Sequence, residues 1–356
     1  MTSEYEETVS RMRRWLKENT KRNAFKKLEN DIIQKGVCTE CGACVAGCPV
    51  EALEGDMSAG KFVPTLVGKC VACGICYTFC PRTLVTWSSL VGDFRSAWKA
   101  RSLDETQSRQ NGGIATALVT YMLDKKIVDA AVVAARDGET PWMPVAKLVK
   151  KPKEAAACGG TIYTHTPVVQ EMVRGFKDGL TSMAVVGMSC NIDSISKMQN
   201  HPAGMFQVGL RADVIKVGLF CMESFDYNKL VGFLKGEKIK IGDVNRFEIS
   251  GGKFRIRIGD EEKEWPIADL DPYVSSSCHY CRDLTCMNAD ISCGNLGTDD
   301  DWTTVLVRTP RGEQIFQEAL ADGLIEAELL EGKAMRVVEN VARSKATRIY
   351  TMKPEH

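Results

Sequence analysis

Two stretches of this chain repeat one pattern of thiols. Cys38-Thr-Glu-Cys41-Gly-Ala-Cys44-Val-Ala-Gly-Cys48-Pro49 is matched by Cys70-Val-Ala-Cys73-Gly-Ile-Cys76-Tyr-Thr-Phe-Cys80-Pro81, and both read C-x2-C-x2-C-x3-C-P. Three thiolates in so tight a loop bind three corners of a four-iron cubane, and the displaced fourth cysteine closes the other cubane. One [4Fe–4S] cluster therefore takes Cys38, Cys41, Cys44 and Cys80, and the other takes Cys70, Cys73, Cys76 and Cys48. Gly42 and Gly74 relieve crowding where backbone N–H groups approach the sulfurs, and Pro49 and Pro81 turn the chain after the last ligand. Zinc is the competing metal, and two full copies with both prolines weigh against it. The pattern carries electrons but specifies no substrate.

Seven of the fifteen cysteines remain: 158, 190, 221, 278, 281, 286 and 293. Ala184-Val-Val-Gly-Met-Ser-Cys190 and Val217-Gly-Leu-Phe-Cys221 are apolar runs that read as buried strands ending in a cysteine. Ligands gather at the carboxyl ends of strands in open α/β sheets. With Cys278 and Cys281 of a C-x2-C loop, these thiols make four, enough for a third [4Fe–4S] cluster. The alternative is that Cys190 and Cys221 are ordinary buried thiols, and spacing alone leaves both readings standing. Cys286 and Cys293 are spare, and either could replace a chosen ligand.

Clusters take single electrons whereas hydride donors deliver pairs, so a chain that joins them needs a converter, for which a flavin is the usual choice. Gln110-Asn111-Gly112-Gly113 ahead of an apolar-periodic helix is a candidate phosphate cradle: glycines allow close backbone approach and a helix N-terminus favours an anion. Gly159-Gly160-Thr161-Ile162-Tyr163 is a second. Either could equally be a plain turn. No G-x-G-x-x-G and no G-x-x-x-x-G-K-[ST] occurs, which disfavours an ordinary Rossmann dinucleotide site and a P-loop. The four histidines (165, 201, 279 and 356) form no metal or triad pattern, and no general base is assigned.

The elements that position these groups follow from periodicity. Residues 1–35 are cysteine-free and helical, with Val9, Met12 and Leu16, then Phe25, Leu28 and Ile32, at helical spacing among many Lys and Arg. They form a helical extension packed on its own domain or docked on a partner. Residues 36–86 are the two-cluster module, 87–104 a linker, 105–310 a flavin-binding domain carrying the third cluster, and 311–356 a helical tail. Short continuous apolar strands at 128–135, 182–188 and 214–220 alternate with helices, the signature of a parallel sheet covered on both faces. Lys253–Ile258 alternates cleanly and pairs with Lys263–Ile267 across Gly259-Asp260. The fold class is thus α/β (α+β): an N-terminal bacterial-type 2[4Fe–4S] module, then a flavin-binding α/β domain. Lys+Arg and Asp+Glu are 46 each, a balance that argues against nucleic-acid binding. No apolar run reaches the roughly 18–20 residues that span a bilayer. The acidic N-terminus has no apolar signal region, so the expected location is cytoplasmic, or peripheral to a membrane complex.

The cysteine repeats resemble the bacterial two-cluster ferredoxin. Gln110-Asn-Gly-Gly113, Val186-Gly-Met-Ser-Cys190, Gly218-Leu-Phe-Cys-Met-Glu-Ser-Phe225 and Cys278-x2-Cys281-Arg-Asp283, ending in Ala289-Asp-Ile-Ser292, together resemble the beta subunit of coenzyme F420-dependent hydrogenases and dehydrogenases over roughly residues 105–310. With a ferredoxin module fused in front, the layout is most similar to the input subunit of archaeal F420H2:phenazine or F420H2:quinone oxidoreductases. (F420 is a deazaflavin coenzyme, not a residue.) The resemblance implies FAD held by Asn111, Gly112, Gly113 and Thr116, F420 as substrate, and a nearby cluster on Cys190, Cys221, Cys278 and Cys281. It implies redox partner subunits, whether a membrane oxidoreductase complex, hydrogenase, formate dehydrogenase or heterodisulfide reductase. Asn111, Ile162 and Ser189 stand where the family carries Asp or Ser, Lys, and Pro. Two other readings compete: a flavin subunit fed by NAD(P)H, a thiol or ferredoxin, and a wiring subunit with no small-molecule site. The anionic tail of F420 would suit the cations Lys253, Arg255 and Arg257, which share one strand face, unless Glu261, Glu262 and Glu264 on the other arm neutralise them.

Overall fold

The computed structural model describes residues 25–82, 90–104, 110–200 and 213–347. In chain order its strands are β1 (Leu53–Asp56), β2 (Val63–Leu66), β3 (Ser96–Ser102), β4 (Ala130–Arg136), β5 (Pro144–Val149), β6 (Ser182–Met188), β7 (Asp213–Leu219), β8 (Arg246–Ser250), β9 (Lys253–Ile258), β10 (Glu261–Pro266), β11 (Ile291–Gly294), β12 (Thr303–Val307) and β13 (Ile325–Leu329). The three apolar runs become β4, β6 and β7, at the middle of an eight-stranded sheet ordered β13-β3-β12-β11-β7-β6-β4-β5. Strands β11, β7, β6 and β4 are mutually parallel. Antiparallel neighbours extend both sides, with β5 beyond β4, and β12, β3 and β13 beyond β11.

The continuous hydrophobicity of the central strands reflects burial on both faces. Ala131, Val133 and Ala184 enter one core with helices Ile114–Asp124 and Pro310–Ala321. Their neighbours Ala130, Val132, Met183 and Val185 enter another, with helices Val168–Lys177 and Ser189–Asn200. This is the period-two alternation of a strand, with both sides apolar. Since β3 follows two reversals from β11, the carboxyl ends of β3, β4, β6, β7 and β11 share one edge. A three-stranded antiparallel sheet, β10-β9-β8, has its own aromatic core of Phe233, Phe247 and Phe254.

The two-cluster module is a β1–β2 hairpin with two short helices, Ala43–Ala46 and Ile75–Phe79, which follow Gly42 and Gly74 at the same φ of 78°. It is docked, not tethered. Cys41, Ala43, Ala46, Ile75 and Phe79 share one core with Val169, Met172, Ile192 and Ile195 of the large sheet's helices.

Three expected boundaries need correction. The expected linker 87–104 contains a sheet strand: β3 lies inside the sheet, between β13 and β12, while residues 87–89 lie outside the described residues. The tail 311–356 is not only helical, because β13 pairs with β3 and returns the chain to the sheet before helix Gly332–Thr347. The span 105–310 is therefore not a self-contained unit. Within the cysteine-free extension, Phe25, Leu28 and Ile32 pack on Leu53, Cys76 and Cys80 and so belong to the cysteine module, while residues 1–24 lie outside the described residues. The β9–β10 hairpin turns at Gly259-Asp260 as expected, but its second arm starts at Glu261, and residues 267–273 form a 3-10 helix. No helix among the described residues is long and apolar enough to cross a membrane.

Candidate metal centres and cofactor crevice

The first eight cysteines gather crosswise into two groups. Cys38, Cys41, Cys44 and Cys80 line one pocket together with Leu28, Ile32 and Phe62. Cys48, Cys70, Cys73 and Cys76 line a second together with Phe25 and Leu53. Backbone amides point at the sulfurs in matching fashion: Glu40 N to Cys38 Sγ at 3.4 Å, Ala72 N to Cys70 Sγ at 3.4 Å, and Ala52 N to Cys48 Sγ at 3.3 Å. Glu40 and Ala72, the donors of the two equivalent bonds, share a φ of 56°. Burial pushes the thiols of Cys76 and Cys80 up to about 12. Thiolates there need a bound cation to form, which is how metal binding draws protons off its ligands. Tetrahedral zinc at bonds of about 2.3 Å holds sulfurs roughly 3.8 Å apart, and no group of three or more His, Cys, Asp or Glu among the described residues is arranged to hold a single metal ion.

The remaining predicted thiols meet at the carboxyl edge of the sheet. Cys190 lies in the first turn of the helix that leaves β6, Cys221 two residues past the end of β7, and Cys278 and Cys281 at the 3-10 turn Ser276–Tyr280. Cys190 feels the charges of Cys281 and Cys221, and Cys278 those of Cys221 and Cys281. Cys190 also feels Cys41 of the first set. Ser194 joins the two sets: its Oγ lies 3.3 Å from Cys41 Sγ and donates to Cys190 O at 2.9 Å. Cys286 and Cys293 are core residues instead. The Cys286 sulfur fills the space where a Cβ on Gly218 would lie 2.4 Å away, and Cys293 packs inside the sheet's first core. Cys158 is half-buried at the end of helix Pro152–Ala157.

Several groups that bear on the third set gave no local signal in the chain. Arg82, just after Pro81, donates from Nη2 to Ser277 O at 2.6 Å, while its buried Nε has no hydrogen-bond partner among the described residues. Lys345, 1% exposed, donates to the Cys221 carbonyl from the last helix. Burial would raise the Cys281 thiol, but Lys345 and Arg82 together hold it below its ordinary value, unlike its three companions. His165 Nε2 is 3.5 Å from Cys278 Sγ, and Ser224 N donates to the same sulfur at 3.3 Å. Burial, then Arg82, lowers the His165 ring to about 4, so it is neutral at pH 7. Its 3.8 Å approach to Glu40 is therefore no ion pair. Burial raises Glu40 to about 7. Arg82, His165 and Lys345 are far in sequence from most of the third set's cysteines; only the fold brings them there.

The candidate cradle residues also share the carboxyl edge. Gln110 Nε2 donates to Tyr163 Oη at 3.1 Å and to Phe247 O at 3.3 Å, and Tyr163 Oη accepts from Ile249 N at 3.1 Å. The two predicted loops thus meet each other and β8. Their glycines differ in kind. A Cβ on Gly112 would lie 2.5 Å from Ala100 O and 2.8 Å from Thr303 N, so close sheet packing already requires glycine there. Gly160, at φ 106°, has no atom within 4 Å of such a Cβ and faces open space. Gly113, at φ 69°, precedes helix Ile114–Asp124, whose first turn has no side-chain cap. Thr116, on the first turn of that helix, and Thr161 and Ile162 in the second loop are half-buried. On the hairpin, Lys253 pairs with Glu264, Arg255 with Glu264 at 3.3 Å and Arg257 with Glu262 at 3.6 Å. The cationic face is neutralised across the ladder by its own glutamates.

Three family models match the chain. Residues 97–171 match "Coenzyme F420 hydrogenase/dehydrogenase, beta subunit N-term", residues 180–333 match its C terminus, and residues 23–85 match a 4Fe-4S dicluster domain. The coenzyme F420 hydrogenase subunit beta of Methanosarcina barkeri is 34% identical over 248 residues, covering 68% of this chain and 84% of that protein. A subunit of the F(420)H(2) dehydrogenase of Methanosarcina mazei is 31% identical over 299 residues, covering 80% and 83%. Among solved structures, a chain of the F420-reducing [NiFe] hydrogenase complex from Methanosarcina barkeri superposes with a TM-score of 0.69 at 30% identity, covering 75% of this chain and 94% of that one.

Proposed function

Because the chain belongs to the coenzyme F420 hydrogenase/dehydrogenase beta-subunit family, with a 4Fe-4S dicluster domain ahead of that region, we propose that it is the F420-oxidising or F420-reducing electron-transfer subunit of a larger redox complex. Its relatives are named as hydrogenase, dehydrogenase and formate dehydrogenase subunits. In this reading Cys38, Cys41, Cys44 and Cys80 hold one [4Fe–4S] cluster, Cys70, Cys73, Cys76 and Cys48 a second, and Cys190, Cys221, Cys278 and Cys281 a third. The observation that carries the third is Arg82. A buried guanidinium with an orphaned Nε, set among the sulfurs of Cys281, Cys190 and Cys278, calls for an anion, and a tetrathiolate cluster is one. The nearness of Cys190 to Cys41 orders the path as third set, first set, second set.

FAD suits the crevice formed by Asn111–Gly113, Gly160–Tyr163 and β8. The uncapped start of helix Ile114–Asp124 offers amides to its phosphates, Thr116 follows in the same turn, and the open side of Gly160 admits close approach. Bound there, the flavin supplies the exchange between paired and single electrons. The chain's own work would be to present that crevice at the sheet edge that also carries Cys221 and Cys278, and to bury the thiols away from water. Ile162, in place of the family's lysine, favours a second reading in which the same crevice takes its electrons from another donor.

The deciding measurement is anaerobic. We expect about twelve irons and one flavin per chain, with the flavin bleached by reduced F420 and not by NADH. Cys190→Ala should bring iron to about eight. Bleaching by NADH alone would select the second reading, and absence of flavin would leave a wiring subunit.

A further inference from the structure

The two cations at the third thiol set differ in what they connect. Lys345 comes from the last helix and donates to that set's own Cys221 carbonyl. Arg82 belongs to the neighbouring set's loop, two residues after Cys80, yet the charges that act on its guanidinium are those of Cys281, Cys190 and Cys278. It is anchored at Ser277 O, 2.6 Å away, one residue before Cys278. The charges acting on it most strongly are those sulfurs, not a carboxylate. From the other side, Lys197 Nζ holds Cys80 O at 2.9 Å and ties the Cys80-Pro81-Arg82 turn to helix Ser189–Asn200, which carries Cys190.

We propose that Arg82 is an electrostatic positioning residue that raises the reduction potential of the third cluster above that of the other two, making it the first resting place for an electron from the flavin. This rests on the proposed third cluster. The physical reason is charge. A tetrathiolate four-iron cluster gains one negative charge when it accepts one electron, with no bond made or broken. A buried cation near its sulfurs favours the more negative state, and net charge and hydrogen bonds to sulfur are the protein's levers on cluster potential. Three thiols of the second set are only half-buried, and the charges that act on Cys73 and Cys76 are other cysteines. Because Arg82 is continuous with the Cys80 loop, the same charge also lies beside the next cluster, where it eases the onward step.

The test is an EPR-monitored redox titration of the full, cluster-loaded chain with dithionite as reductant, in wild type, Arg82→Gln and Arg82→Lys. We expect Arg82→Gln to lower the reduction equilibrium of the third cluster about tenfold, or about 59 mV for one electron. The Cys38/Cys41/Cys44/Cys80 cluster should move less and the second set's cluster not at all. Arg82→Lys keeps the charge and should stay within about twofold of wild type, and it decides the matter if the Gln variant fails to hold iron. Full iron content with an unchanged third potential in Arg82→Gln overturns the coupling alone. So does a tenfold fall in Arg82→Lys, which would assign the effect to fork geometry instead of charge. Eight irons and no third signal in the wild type would overturn the cluster itself, and the coupling with it.

Discussion

Phe79 joins the two-cluster module to the large sheet, and its replacement has a calculable cost. The ring is 0% exposed and lies in the core shared by Ile75, Met172 and Ile192. Phe→Ala in such a site costs about 3–5 kcal/mol, and at about 1.4 kcal/mol per decade the middle of that range is up to a thousandfold in opening. The structure also offers a partial repair. A Cβ on Gly47 would lie 2.6 Å from Phe79 Cδ2 and 2.9 Å from the Ala43 backbone oxygen, so removing the ring relieves the larger part of its clash. Gly47→Ala alone overpacks and costs about 1–3 kcal/mol. Combined with Phe79→Ala its methyl enters vacated space, so the double variant should be more stable than the sum of the two losses by about 1–2 kcal/mol. Cluster loss is irreversible, so the suitable assay is the anaerobic bleaching rate of the iron–sulfur absorbance at fixed denaturant. Hydrogen exchange across Val168–Lys177 adds a second measurement. Additive losses, or wild-type protection of that helix in Phe79→Ala, would refute the shared core as the joint between the modules.

Gly113→Val places a β-branched residue at φ 69°, a strain of about 1–3 kcal/mol; the flavin-to-iron ratio should collapse while the iron of the first eight cysteines stays. Arg255→Ala with Arg257→Ala breaks exposed pairs worth about 0.2–1 kcal/mol each, so the melting temperature should fall by a few degrees with KM for reduced F420 unchanged. A steep rise in KM would return the hairpin to the substrate's tail. Asp129 accepts from Thr181 N at 3.0 Å and Ser182 N at 3.1 Å, which holds its carboxyl below the usual range. A depressed carboxylate stabilises above its unfolded value of about 3.9 and loses that contribution as pH falls. Asp129→Asn should therefore destabilise at pH 7 and progressively less below pH 4 in chemical unfolding.

The legible parts of this chain were those with a strong local cause. Burial on both faces wrote continuous apolar runs for β4, β6 and β7, and cubane geometry wrote the two cysteine repeats. β3, Ser96-Ala-Trp-Lys-Ala-Arg-Ser102, lies in the sheet without such a run because most of it is only half-buried. β13, Ile-Glu-Ala-Glu-Leu, hides in helix-forming composition because its glutamates face outward toward Lys99 and Arg101. Cys190 and Cys221 were legible at strand ends, and Cys278 and Cys281 as a C-x2-C loop. Arg82, His165 and Lys345 were not, since a buried cation leaves no periodicity and its meaning depends on sulfurs far off in the chain. The cationic strand was legible as a pattern, but register alone could say which glutamates it faced.

The closing strand and helix impose an order on the molecule's birth. Residues 25–82 leave the ribosome with their cysteine repeats complete, yet the surface on which Phe79 rests is made from residues 168–195, about a hundred residues later. The third thiol set waits longer still. Cys190 and Cys221 emerge well before Cys278 and Cys281, and Lys345 arrives only with the final described helix. β3, translated early, stays exposed along one edge until β13 arrives to pair with it. A nascent chain stalled near residue 320 thus displays an open sheet edge, with its third group of thiols already translated but still without the Lys345 cation.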